Sequence, residues 1–306
     1  MKIRYNTYRP YIKEKLGYRV SKLSVDMGFT CPNRDGNLAV GGCVYCNNDS
    51  FVPPYARARY TMDDQVTSGM EYLRKRFKAE KFIIYFQSYT NTYDSVEKLE
   101  KMYREALKYD DVVGIAVGTR SDCIDEEKLE MFEELAKDCY VCLEFGIESI
   151  YDKTLDYMNR GHDYQSVLDA INMSKGRGFE IGAHIIVGMP TETKEEMLAM
   201  AEEISSLGID VFKVHNLHIV RNTPLARMYR SKPFKLFDFE EYIDFIVNFL
   251  ERLSPDMIIE RLFTDTPYDL LIAPIWEKSH LQVLQGIEAE LKRRDTWQGR
   301  LYKKNA

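Results

Sequence analysis

Three cysteines and one aromatic residue carry the strongest chemical signal in this chain. Cys31, Cys43 and Cys46 share one short stretch, the last two form a C-x-x-C pair, and Tyr45 sits just before the final cysteine. Three thiolates on one loop suit a 4Fe–4S cluster whose fourth iron is left for an exchangeable ligand, which can be a cofactor. The rival reading is structural zinc. Zinc takes four protein ligands, and the fourth would be remote here, since the nearest histidine in sequence is His162. The loop between Cys31 and Cys43 is rich in Gly, Asn and Asp, so its backbone can bend around a bound group.

The setting for this loop follows from composition. The chain has 306 residues, 45% hydrophobic and 29% charged, enough apolar material for a sizeable core. Its formal net charge of −6 gives no global basic field. Six unevenly placed cysteines do not make a disulfide scaffold. The first residues lack the apolar centre of a signal peptide, and no apolar run is long enough to span a bilayer. The expected compartment is a reducing cytoplasm, with no membrane partner.

Positive charge gathers at the two ends. Lys2, Arg4, Arg9, Lys13, Lys15, Arg19 and Lys22 are interleaved with Tyr5, Tyr8, Tyr11 and Tyr18. Lys292, Arg293, Arg294, Arg300, Lys303 and Lys304 accompany Trp297 and Tyr302. Such mixtures suit a polyanion with stackable bases. They also suit two solvated termini, and both readings stay open at this point.

The elements that must position the cysteines alternate regularly. Strand-like apolar runs cover residues 23–29, 82–86, 112–117, 140–145, 181–187 and 211–217. Helical patterns cover 63–77, 96–107, 126–135, 164–175 and 195–207. This rhythm predicts a parallel sheet with right-handed crossovers, either an open doubly wound sheet or an incomplete barrel. The cysteine loop and the segments 87–92, 118–122, 146–149 and 188–190 all fall where strands end, the edge at which barrel chemistry collects. The expected architecture is therefore α/β, a partial (β/α)6 TIM-like barrel over 23–235. A basic N-terminal extension covers 1–22, and a C-terminal helical extension covers 236–306, with helices at 239–253 and 275–294 and a further strand at 257–262. Cys123, Cys139 and Cys142 read as core thiols, because the last two straddle a buried strand whose faces alternate. His215 and His218, with Lys213, Asn216 and Arg221, stand at the end of the sixth strand and suggest substrate contacts.

Three cysteines ending in C-x-aromatic-C, after the first strand of a βα repeat, resemble the radical S-adenosylmethionine (SAM) superfamily. The gap of eleven residues between Cys31 and Cys43 resembles the Elongator-catalytic-subunit branch, and most of the chain is similar to its stand-alone bacterial proteins of the YtqA/YhcC type. The resemblance implies a 4Fe–4S cluster on Cys31, Cys43 and Cys46. Its free iron would chelate SAM, and one electron would cleave the sulfonium to a 5′-deoxyadenosyl radical. Phe86-Gln87-Ser88-Tyr89-Thr90-Asn91-Thr92 resembles the segment that holds the SAM amino group, with the family's glycines replaced. Val117-Gly118-Thr119-Arg120-Ser121-Asp122 resembles a second motif, with Gly118 in place of its Glu. Glu148 replaces a Gln that contacts SAM, and Arg160, twelve residues on, stands where relatives pair with the SAM carboxylate. His184 and Gly188 fall in the fifth-strand segment that flanks adenine, although a strand histidine is more often only a satisfied core residue. Tyr45, Ser88, Tyr89, Thr90, Glu148, Arg160, His184 and Gly188 are thus the implied cofactor contacts.

The implied activity is MnmL-like. It acts on the side chain of a tRNA wobble uridine, taking 5-carboxymethylaminomethyl-uridine toward 5-aminomethyl-uridine with a reductant such as flavodoxin or ferredoxin. Two rivals remain: a radical SAM enzyme for a small metabolite, and a zinc-binding RNA adaptor without catalysis.

Overall fold

The computed structural model describes residues 3–303; Lys2 and Lys304 of the terminal basic patches lie outside the described residues. Seven parallel strands curl into a half-barrel in the order β1 (Val20–Val25), β2 (Lys81–Phe86), β3 (Val112–Thr119), β4 (Tyr140–Glu148), β5 (Glu180–Val187), β6 (Val211–Asn216) and β8 (Ile258–Arg261). Helices α2 (Met62–Phe77), α3 (Val96–Ala106), α4 (Glu126–Ala136), α6 (Tyr164–Ser174) and α7 (Lys194–Ser206) return the chain between strands, as parallel pairing requires. Local chemistry fixes where helices begin. Thr61 and Asp64 cap α2 reciprocally, and Thr193 and Glu196 do the same for α7. All nine residues of β4 are buried, which is why this central strand reads as an almost continuous apolar run.

The first strand differs from its expected span of 23–29. It begins at Val20 and ends at Val25, and the next residues form a loop in which Gly28 takes φ +75°. The polar residues Ser21, Lys22 and Ser24 disguise it. Lys22 is mostly withdrawn from solvent, where it ion-pairs with Glu260 and lies 3.7 Å from Glu144.

The sequence rhythm did not reveal α1 (Tyr8–Leu16), α5 (Asp152–Tyr157) or α8 (Pro224–Ser231). The first of these closes the floor of the half-barrel. Ile12 packs with Ile83, Tyr85, Ala116, Tyr140 and Cys142 on the inner face of the sheet, and the Tyr11 hydroxyl bonds Glu180. Just before it, Thr7 bridges to Ile259, and the Ile259 amide donates to the Asn6 carbonyl at 2.8 Å. The seventh strand lies at 258–261, within the span expected to be a further strand, and α9 (Phe239–Leu250) and α10 (His280–Arg293) pack around it. A short antiparallel pair, β7 (Ile219–Val220) with β9 (Leu271–Ala273), completes the strands.

These contacts revise the reading of the charged ends. Arg4 bonds the Thr296 carbonyl and Asp295, Lys15 pairs with Glu180, Arg294 pairs with Glu290 and Asp244, and Arg300 pairs with Glu251. Tyr8 and Tyr11 pack against the floor cluster. Much of the terminal charge is therefore engaged within the molecule, while Lys13, Arg19 and Lys303 are exposed. No described helix is long and apolar enough to cross a membrane.

Two irregularities matter for the site. In β4 the register slips between Gly146 and Glu148, and Glu148 adopts φ +65°. In β8 it slips so that Phe212 faces Ile259 and Lys213 faces Arg261, leaving Glu260 as the extra residue. Both are bulges near the upper rim, where an added residue re-aims the side chain that follows.

Candidate active site

A cavity of about 230 Å³ opens at the C-terminal edge of the strands. Cys31, Cys43 and Cys46 line it together, although the chain reaches them from a loop with little regular structure. That loop is pinned by the turn after α5. The Val44 amide donates to the Met158 carbonyl at 2.9 Å, and Asn159 Nδ2 donates to the Gly42 carbonyl at 3.0 Å. Asn33, fully buried, donates to the Asn159 carbonyl and lies 3.5 Å from Cys43 Sγ. Asn159 and Gly161 both take positive φ to make this turn, and a Cβ on Gly161 would meet Asn33 Oδ1 at 2.9 Å.

The next residue to reach the cysteines is Arg160. Its Nη2 donates to the Gly146 carbonyl at 2.7 Å, and its Nη1 stands 3.7 Å from Cys43 Sγ. Glu148 Oε1 lies 3.7 Å from the same guanidinium and 3.4 Å from His184 Nε2. His184 Nδ1 in turn lies 3.3 Å from Glu144. Burial alone would lower the His184 pKa, but the two carboxylates raise it to about 9. Burial alone would raise that of Glu148, yet His184, Arg160 and the Tyr45 hydroxyl hold it at about 2. Hence His184 is an imidazolium between two carboxylates at neutral pH, not a neutral core histidine. Gly146 makes the cluster possible: a Cβ there would stand 2.8 Å from both Arg160 Nη2 and Glu148 Oε1.

Deeper in the barrel, Lys213 Nζ lies 2.6 Å from Glu144 and 3.3 Å from Glu260, and the Tyr85 hydroxyl donates to Glu144 at 2.8 Å. Lys22 joins from β1, so this network spans the open side of the half-barrel. Sequence reading missed Glu144, Tyr85, Glu260 and Arg261 and gave Lys22 to a surface patch. The usable signal was a charge inside an apolar strand, as in Leu143-Glu144-Phe145 and Phe212-Lys213-Val214, because a charge buried in a strand needs a partner.

Of the implied cofactor contacts, Tyr45, Tyr89, Thr90, Glu148, Arg160 and His184 line the cavity. Two do not come to its wall. Ser88 is buried in the β2–α3 loop behind it, and Gly188 lines a separate cavity beside Phe237. Arg120 lines the cavity while forking onto Asp122 at 2.7 and 2.8 Å. Cys139 and Cys142 belong to different apolar clusters, and burial pushes their thiols up to about 11 and about 12.

The residues present fit a polar, thiolate-ligated group. Three thiols face one cavity, and burial pushes that of Cys46 up to about 12 with Cys43 and Cys31 adding to the rise. Thr90 Oγ1, Arg120 Nη1 and Arg160 Nε are buried on cavity-lining residues and have no hydrogen-bond partner among the described residues. Among the described residues, no three His, Cys, Asp or Glu side chains are arranged to hold a single metal ion. Cys31, Cys43 and Cys46 could each ligate a different iron of a cluster.

A parallel half-barrel with three cysteines at its upper edge defines the architecture of the radical SAM enzymes. The Radical SAM superfamily model matches residues 30–204, and the Radical_SAM C-terminal domain matches 209–293. The chain is 32% identical over 304 residues to the uncharacterized protein YtqA of Bacillus subtilis, covering 98% of this chain and 94% of that one. It is 25% identical over 194 residues to a tRNA uridine(34) acetyltransferase of Methanocaldococcus infernus, covering 60% of this chain and 35% of that protein. The archaeal Methanocaldococcus infernus Elp3 has the same fold, with TM-score 0.69 at 19% identity, covering 91% of this chain and 64% of that structure. This protein belongs to the radical SAM superfamily and is an enzyme of that class, related to Elp3.

Proposed function

We propose that this protein is a cytoplasmic radical SAM enzyme that modifies the side chain of a tRNA wobble uridine, taking 5-carboxymethylaminomethyl-uridine toward 5-aminomethyl-uridine. The observation that carries the chemistry is the convergence of Cys31, Cys43, Cys46 and Arg160 on one cavity. The observation behind the substrate class is the relatedness to a tRNA uridine(34) acetyltransferase.

Cys31, Cys43 and Cys46 would hold a 4Fe–4S cluster, and Arg160 would pair its fork with the carboxylate of SAM. When bound, the cluster supplies the electron that cleaves the SAM sulfonium, drawn from a reductant such as flavodoxin or ferredoxin. The chain's own residues do the rest. Asn33 and Arg160 place N–H donors toward Cys43 Sγ, where they would orient it as a ligand. Glu148, pinned by His184, is an acceptor for ribose hydroxyls, and Thr90 Oγ1 offers an unused hydroxyl on the same wall.

One observation favours a small-metabolite substrate instead: the terminal basic residues are largely ion-paired within the molecule. Nucleoside mass spectrometry of tRNA from cells with and without the protein decides the substrate. Accumulation of 5-carboxymethylaminomethyl-uridine on deletion is expected; an unchanged nucleoside profile rejects the tRNA reading. Anaerobic iron and sulfide analysis tests the cofactor, and zinc without labile sulfide would reject it.

A further inference from the structure

The wall of the cavity built by β6, β8 and the loop after β8 holds an arginine, Arg261, that makes no close hydrogen bond or ion pair among the described residues. The bulge at Glu260 explains its direction. Adjacent strand residues normally point to opposite faces, yet Glu260 pairs with Lys213 inside the barrel and Arg261 also lines the lumen.

The carboxylates near it are committed elsewhere. Glu260 serves Lys22 and Lys213, Glu144 serves Lys213, Tyr85 and His184, and Glu148 serves His184. Asp265 also lines the cavity; it lies 3.5 Å from His280, is largely exposed, and feels Arg261 only through longer-range charge, with no contact within 4 Å. A guanidinium facing a cavity, with its neighbouring anions engaged, is a receptor for an incoming carboxylate.

Beside it stands His215. Thr264 Oγ1 donates to the Asn216 carbonyl at 3.1 Å, so its proton is used. It must then accept Nδ1–H from His215, 3.2 Å away. Burial, with Arg261, His184 and Lys213, keeps the His215 pKa well below its usual value, so the ring is neutral. Its Nε2 is then a bare acceptor with no hydrogen bond to any described residue.

We infer that Arg261 and His215 form the substrate subsite of this cavity, taking a carboxylate on the Arg261 fork and an N–H of the same substrate on His215 Nε2. The chemical class that satisfies both is an amino-acid-like group, an amine close to a carboxylate. The choice of a nucleoside as probe rests on the function proposed above. SAM carries the same two groups, but under the function proposed above its carboxylate falls to Arg160, beside Cys43.

The test is calorimetric titration of the reconstituted, SAM-saturated enzyme with 5-carboxymethylaminomethyl-uridine and with its methyl ester. The acid is expected to bind at least about tenfold more tightly than the ester, as removal of a charge-assisted pair implies. Arg261→Gln should abolish that preference while leaving SAM affinity and the melting temperature unchanged, and Arg261→Lys should recover part of it. His215→Phe should weaken the acid and the ester alike. Equal binding of acid and ester, or binding of neither, overturns the subsite. A preference that survives in Arg261→Gln does so too, and loss of SAM affinity in that variant returns Arg261 to the cofactor. The same variants are assayed on tRNA. If tRNA is not turned over but the acid preference is present and depends on Arg261, the tRNA reading fails and the subsite stands. If tRNA is turned over at the wild-type rate by Arg261→Gln, the subsite fails and the tRNA reading stands.

Discussion

Arg160 Nη1 stands 3.7 Å from Cys43 Sγ across 117 residues of sequence. Its other terminal nitrogen holds the Gly146 carbonyl, so one side chain ties the cysteine loop to the rim of β4. Arg160→Gln removes the fork and the charge. It is expected to weaken SAM binding by about 10–100-fold, the range of one charge-assisted interaction, while Arg160→Lys loses less. Equilibrium dialysis of SAM against reconstituted protein of unchanged iron and sulfide content reads this, and wild-type affinity in both variants rejects the assignment.

Gly146 is required by space rather than by backbone angle. An added methyl would stand 2.8 Å from Arg160 Nη2 and Glu148 Oε1 and 3.1 Å from His184 Nε2. All three atoms are ends of flexible side chains, so Gly146→Ala should change the melting temperature little. The cluster itself must rearrange, and SAM affinity is expected to drop about tenfold, a displaced charged hydrogen bond's worth. A variant that binds SAM normally would show that the cluster tolerates displacement.

The pH response of stability has a defined sign at His184. Its pKa rises from the ordinary 6.5 to about 9 in the folded protein, so between these values the folded state binds more protons than the unfolded one. The stabilisation is fully present below pH 6.5 and is lost as pH rises through 9. Glu148, held at about 2, contributes stability above its ordinary value of 4.5 that disappears as pH falls through 2. Melting curves of wild type and His184→Gln should therefore converge as pH climbs from 6.5 to 9. A constant gap across that window rejects the imidazolium.

Lys213 carries the charge balance of the barrel interior. It is 3% exposed and contacts both Glu144 and Glu260. Lys213→Met leaves Glu260 with Lys22 alone and Glu144 with Lys22, His184 and the Tyr85 hydroxyl, and should destabilise the protein by about 3–5 kcal/mol, the usual cost of breaking a buried pair. Adding Glu144→Leu should restore part of the loss. Urea unfolding of the single and double variants measures the difference, and a single variant as stable as wild type rejects the network's role.

The sequence by itself determined the class of fold and the clustering of three cysteines on one loop. Apolar runs of strand length alternating with helical ones can bury their faces in only a few ways, and three thiols near one strand end suit a thiolate-held cluster or metal. Arg160, Glu148 and His184 were also legible, through motif resemblance. Tertiary structure alone decided which charged groups face one another. Lys22 looked like part of a surface patch and proved to be a mostly shielded partner of Glu260, because α1 and the chain before it close the barrel floor. Gly188 looked like a cofactor neighbour and lies beside Phe237. Arg261 carried no signal at all. A strand has a fixed two-residue alternation, and the bulges at Glu260 and before Glu148 break it, turning Arg261 and Glu148 toward the cavity. Such slips arise from how neighbouring strands pair across a curled sheet, which no local pattern of residues records.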